Sequence, residues 1–326
     1  MADASTADDP GGGPATRAIV DAHHHVWDLS LRKHPWLCET PPIPFRYGDY
    51  AAIRETYLPQ DYRRDAAPFR LAGSVYVETE WDPSDPVGET RWIHEIARTE
   101  GLPDAVVAQA RLDRGDVAEV LAAQAAFPLV RGIRYKPAAA PRPGDARRGA
   151  PGSMDDPRWR EGYALLGRHG LRFDLQTPWW HFDAALELAR DFPATMIIVN
   201  HTGLPADRSA EGLACWRRAL GALADAPNVR LKISGLGVPG AAWTVAANGP
   251  VVRDAIAAFG ALRCMFASNY PVDRLAGPFR TIFEGFAEIV ADLGEADQRR
   301  LFHDNAVETY GLDALAAQQR QGENAP

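Results

Sequence analysis

The feature that most narrows what this chain can fold into is a repeated alternation. A short apolar run followed by a segment with helical spacing occurs eight times. The runs lie at 19–22, 71–78, 105–111, 129–135, 171–176, 195–201, 229–234 and 264–269; the segments after them read as helices at 61–66, 88–99, 116–126, 159–169, 181–191, 212–224, 251–260 and 278–292, with a last helix at 295–310. Runs this apolar, β-branched and short predict strands buried on both faces, and hence a parallel sheet covered by helices. Eight βα units within residues 18–313 fit an α/β fold of the closed (β/α)8 TIM-barrel type, built as a single domain. An open doubly wound sheet is the rival. It would place a glycine-rich phosphate turn after the first strand, where His23-His24-His25 stands instead. Residues 1–17 and 314–326 read as tails, the first made of Ala, Asp, Gly, Ser and Pro without an apolar run.

Composition excludes several classes of partner. A net charge of −8 and no Lys/Arg cluster argue against nucleic acid. No apolar stretch approaches the ~20 residues that cross a bilayer, and the N-terminus lacks the basic start and apolar run of a secretory signal. Cys38, Cys215 and Cys264 are far apart without a CxxC, so they read as free thiols in a reducing compartment. A cytoplasmic protein acting on a small molecule, with room for a homo-oligomer, is the expectation.

In a barrel of this type the chemistry sits where strands end. At the first strand end, period-two alternation points His23 and His25 the same way and His24 the other. The other ends carry Glu78, Gln109 and Arg111, Arg134 and Lys136, Asp174 and Gln176, His201, Lys232 and Ser234, and Asn269. Apolar runs that each finish on a polar side chain are hard to explain by packing. Trp27, Trp81, Trp179, Trp180, Trp243 and Tyr270 follow the same ends and suggest a pocket for a ring-shaped substrate. Arg111, Arg134, Lys136 and Lys232 need anions, supplied either by a substrate carboxylate or by Glu78 and Asp174. The proline-broken, aromatic stretch 34–59 reads as a long loop over the site.

The ordered series DAHHHVWD, SVYVETEWDPSDPVGETRW, GIRY, LRFDLQ, IVNHTGLP, VRLKISGL, CMFASNYPVD and DNAVETYGL resembles the amidohydrolase superfamily. The likeness is to its lactonase branch, typified by 2-pyrone-4,6-dicarboxylate, sulfomuconolactone and sugar-acid lactonases. It spans about 19–312 and implies hydrolysis of a cyclic ester bearing a carboxylate. It further implies that His23, His25 and His201 polarise the carbonyl, either through one divalent metal, zinc or manganese, or directly without metal. The aspartate that ends strand eight in such proteins, the usual general base, falls at Asn269. An amide cannot take a proton from water, so Glu78 is the expected base, with Asp174 second. Two other functions remain open: a lyase such as a decarboxylase of the same superfamily, which needs no such base, and an inactive barrel that binds a small anion.

Overall fold

The computed structural model describes residues 17–67 and 69–312; the tails read at 1–17 and 314–326 lie, Arg17 aside, outside these residues. Eight strands, β1 (Ala18–His24), β2 (Arg70–Val77), β3 (Ala105–Gln109), β4 (Val130–Arg134), β5 (Arg172–Leu175), β6 (Ile197–Val199), β7 (Val229–Ile233) and β8 (Cys264–Phe266), pair in parallel and in chain order. The helices are α1 (Pro35–Cys38), α2 (Pro59–Ala66), α3 (Gly88–Glu100), α4 (Val117–Ala125), α5 (Pro157–Arg168), α6 (Phe182–Asp191), α7 (Ala210–Ala224), α8 (Val245–Phe259), α9 (Phe279–Ile289), α10 (Glu295–Arg299) and α11 (Asn305–Tyr310). Together they form the (β/α)8 barrel read from the alternation, not the open sheet. Among the described residues no helix is long and apolar enough to cross a membrane, and the three cysteines are free.

Two departures from the sequence reading have a clear local reason. Proline removes an intrahelical bond, so the eighth helix was expected to start after Pro250. It starts at Val245, because Thr244 Oγ1 accepts from Ala247 N (3.2 Å) as an N-cap, and Pro250 is carried inside. The last helix, expected to be continuous, contains a π-helical turn at Arg300–Asp304 between α10 and α11. Gly311 ends it in the left-handed region (φ 60°), as expected of a C′ glycine.

Apolar packing has two layers. Helices cover the outside of the sheet, while Val20, Val75, Val107, Ile198 and Met265 fill the barrel interior together with Val307, Tyr310 and Leu312 at the end of the described residues.

The barrel's seam lies between β8 and β1, and it is short. His24 bridges Tyr270; Asn269 N donates to His23 O (2.8 Å) and His25 N to Tyr270 O (2.7 Å). Below these, the buried carboxylate of Asp21 takes the place of further ladder bonds. It accepts from Ser268 N (2.8 Å), Ser268 Oγ (2.5 Å), Tyr62 OH (2.8 Å) and His23 N (3.2 Å).

Candidate active site

The C-terminal mouth of the barrel holds a cavity of about 430 Å³. Its floor is strand-end chemistry: His25, Arg134, Gln176, His201 and Asn269. Its roof is the long loop between β1 and α2, which contributes Trp36, Ile43, Pro44, Phe45 and Arg46. That loop is tied at both ends by the Trp27–Tyr57 backbone pair (2.8 and 2.9 Å) and stiffened by Tyr50 OH donating to Trp36 O (2.9 Å). Trp36 Nε1 donates to Thr79 O (2.8 Å), which fixes the roof to the barrel rim.

His23 and His25 face each other as alternation requires, with their Nε2 atoms 3.3 Å apart, and the His201 ring centroid lies 4.7 Å from that of His23. His24 turns outward, stacks on Tyr62 at 4.2 Å and bonds Ser74. His25 Nδ1 lies 2.7 Å from Val77 O. A carbonyl can only accept, so Nδ1 carries the proton and Nε2 presents a lone pair. His201 Nδ1 bonds Ser234 Oγ (2.9 Å). All three imidazoles titrate well below the usual histidine range. Burial is the main cause, followed by the charge of Lys232 on His23, Arg134 on His25, and Arg46 with Arg134 on His201. They are neutral at neutral pH.

Local backbone is forced here. His201, Thr202 and Asn269 all have φ between 53° and 55°. Such left-handed conformations cost a non-glycine residue roughly 1–3 kcal/mol and cluster at functional sites. Gly235, at φ 63°, has no alternative: a Cβ there would stand 2.7 Å from both Arg46 and the His201 ring. Arg46 and Gly235 escaped the sequence reading, because neither ends a strand. Only the sharp turn after VRLKIS hinted at Gly235.

Several expected site residues are placed elsewhere. Glu78 does not face the cavity. Its Oε1 accepts from Arg134 Nε (2.5 Å), and its Oε2 from Glu80 N (2.7 Å) and Gln109 Nε2 (3.1 Å). The carboxylate is held by three donors and lines the neighbouring cleft, so it orients Arg134 and does not stand in this cavity, where the base was expected. Asp174 and Lys232 are sealed in the barrel interior, 2.6 Å apart, with Asn200 and Tyr310 completing the Asp174 shell. They satisfy each other and neither lines the cavity, contrary to the expectation that they bind substrate. Arg111 and Trp81 line a neighbouring cleft that shares Trp36, Glu80, Arg134 and Lys136 with the cavity. Trp180 donates to Ala140 O (2.9 Å), pinning the loop after β4, and Tyr270 is buried with its OH on Gly277 O (2.7 Å). Lys136 lines the cavity beside Glu80, with which it is paired, and Trp27 contributes an otherwise buried ring.

The expected three-histidine metal set was tested on its donors. The His23–His25 spacing of 3.3 Å matches two corners of a tetrahedron with bonds of about 2.0–2.1 Å. Among the described residues, however, no group of three or more His, Cys, Asp or Glu is arranged to hold an ion. Asn269 stands where an acidic ligand could have completed one. The donors among the described residues do not fit a resident metal.

Comparison with known proteins follows the same lines. The amidohydrolase (Amidohydro_2) family matches residues 20–312. The chain is 40% identical to the uncharacterized protein y4mH of Sinorhizobium fredii, over 90% of this chain and 98% of that one. It is 30% identical to an L-fucono-1,5-lactonase of Burkholderia ambifaria, over 92% and 98%. The crystal structure of an amidohydrolase from Burkholderia multivorans with bound zinc shares the fold, at a TM-score of 0.73 and 24% identity over 90% of this chain and 99% of that one. With its barrel, its strand-end histidines and a family match across nearly all the described residues, the chain belongs to the amidohydrolase family.

Proposed function

We propose that this enzyme opens a lactone that carries a carboxylate. The observation supporting this most directly is the cavity's charge layout: Arg46, Arg134 and Lys136 surround neutral His25 and His201, with the aromatic pair Trp36 and Phe45 stacked above at 5.7 Å. The likeness to L-fucono-1,5-lactonases of two Burkholderia species supports the reaction class. In this reading Arg46 and Arg134 hold the carboxylate, and the aromatic roof covers the ring and excludes water from its upper face. His201 hydrogen-bonds the lactone carbonyl, while His23, buried behind the cavity wall, positions His25 through their 3.3 Å contact. His25 Nε2 accepts a proton from water as its oxygen attacks the carbonyl carbon. The ring C–O bond then breaks, and the same proton passes to the departing alkoxide, leaving a hydroxy acid. Substrate and product are small anions, and a divalent ion is not required by this scheme.

The test is a panel of carboxylated lactones, their methyl esters and neutral sugar lactones, followed by ring opening and by carbon dioxide release. Preferential ring opening of the free acids is expected. Carbon dioxide release without ring opening would establish a lyase, and binding without turnover an inactive anion-binding barrel.

A further inference from the structure

Asn269 lines the cavity, yet its side chain is held from behind. Its Nδ2 donates to Asp273 Oδ1 at 2.7 Å, one turn further along the chain. A carboxylate only accepts, so the amide nitrogen must face Asp273 and the amide oxygen must face the other way. His25 lines the same cavity, and an amide oxygen turned toward it can accept only once its Nε2 is protonated, so Asn269 favours the imidazolium form of His25. The same Asp273 Oδ1 accepts from Tyr47 OH at 2.7 Å, and Tyr47 OH in turn accepts from Arg46 Nη2 at 2.8 Å. Arg46 lies over the Tyr47 ring at 4.3 Å and also donates to Gly235 O (3.2 Å). Asp273 is buried, also stands 3.8 Å from Arg46 Nη2 as a direct ion pair, and takes no part in the hydrogen bonds that Asp21 makes at the barrel seam.

We propose that Asp273 is the positioning carboxylate of this site, joining the roof to the floor. Through Asn269 it sets an acceptor oxygen to receive the His25 Nε2 proton once His25 has taken it from water, and through Tyr47 it holds Arg46 over the cavity. Negative charge that would disturb an anionic substrate if it stood at position 269 is set one turn back, screened by an amide. Asn269 and Asp273 therefore act as one unit, with the charge at 273 and the contact at 269. This rests on the lactonase reading only for the assay that reveals it.

Four variants test the unit on whichever lactone the wild type opens fastest: Asp273→Asn, Tyr47→Phe, Asn269→Asp and the exchange Asn269→Asp/Asp273→Asn. Asp273→Asn should lower kcat on the order of 10²-fold, the scale of a misplaced reacting group, with circular dichroism and melting confirming the fold. Tyr47→Phe frees only the roof, so its effect should fall on KM, by roughly tenfold. Asn269→Asp alone places two carboxylates in contact and should be as slow as Asp273→Asn. The exchange restores one carboxylate, one amide and an acceptor toward His25, and should recover kcat to within about tenfold of wild type. A wild-type kcat in Asp273→Asn, or an exchange variant no faster than Asp273→Asn, overturns the inference. If the wild type opens no lactone, the functional reading fails and the unit is read separately by ¹⁵N NMR. Asp273→Asn must then shift the Asn269 side-chain amide resonance, and an unmoved resonance overturns the inference on its own.

Discussion

Replacing Glu78 with glutamine separates two roles that the sequence left side by side. The side chains of Glu78 and Arg134 are 3% and 4% exposed, and their contact is 2.5 Å. Removing one partner of a buried ion pair costs about 3–5 kcal/mol, because the remaining charge stays desolvated. In Glu78→Gln the guanidinium keeps the Glu78 backbone carbonyl and Gln176 Oε1 (3.1 Å), so the lower end, about 3 kcal/mol, is expected. At about 2–4 °C per kcal/mol for a large domain, the melting temperature should fall by roughly 6–12 °C. Because Arg134 loses its orientation, KM for a carboxylated lactone should rise about tenfold while kcat changes less. Calorimetry and steady-state kinetics on the same preparations measure both. Adding Arg134→Met should recover most of the stability, since neither charge is then stranded, while KM stays high. A Glu78→Gln enzyme that melts like wild type but has lost 10²–10⁴-fold in kcat would refute this reasoning, because that is how a lost general base behaves.

His23→Ala, His25→Ala and His201→Ala should each remove activity from a folded protein, whereas His24→Ala should lower stability by about 2–4 kcal/mol through the lost Tyr62 stack and leave kcat near wild type; equal inactivity at full folding would reverse the assigned register. His34 is buried against Trp81 and Trp92 with both ring nitrogens unpartnered, and burial lowers its pKa to about 4. Its folded-state pKa lies below the unfolded value, so stability is present above about pH 6.5 and is lost as pH falls toward 4. Urea melts should show a smaller loss over that window in His34→Phe; an unchanged slope would exclude His34 as a contributor. Lys232→Met strands Asp174 and should destabilise by about 3–5 kcal/mol, measured by denaturant titration, and a fold as stable as wild type would contradict the sealed pair. Exhaustive chelation should leave the rate of lactone opening unchanged, and restoration by zinc or manganese of activity lost to a chelator would show that the described donors take up an ion after all.

The strands were legible because burial on both faces leaves a plain mark in sequence. The facing of His23 and His25 was legible from the two-residue alternation, whereas the register shift that β1 carries between Asp21 and His24 was not. The partners of the charged strand-end residues were not. Arg111, Arg134 and Lys232 look alike in sequence, yet one lines a side cleft, one reaches the cavity and one is sealed within the barrel. Which of these happens depends on how deep each residue sits along the barrel axis and on which carboxylate lies across from it, a long-range matter. Arg46 and Tyr47 lay in a stretch readable only as a loop over the site. Nothing in their spacing shows that the loop folds back onto a residue 226 positions later.

The short seam between β8 and β1 places the barrel's weakest join and its reactive side chains on the same residues. His25 and Asn269 contribute backbone bonds that close the wall as well as side chains that face the cavity, and His23, whose carbonyl accepts one of those bonds, lies 3.3 Å behind His25. A fluctuation that parts the seam therefore disassembles the reaction centre long before the helical shell is disturbed. On warming, catalysis should fade while far-ultraviolet dichroism is still native. The amides of His25 and Asn269 should exchange with solvent earlier than those of the interior strands. Residues that reinforce the seam from outside, Ser268 and Tyr62 through Asp21, would set the working temperature of the enzyme without ever touching what it converts.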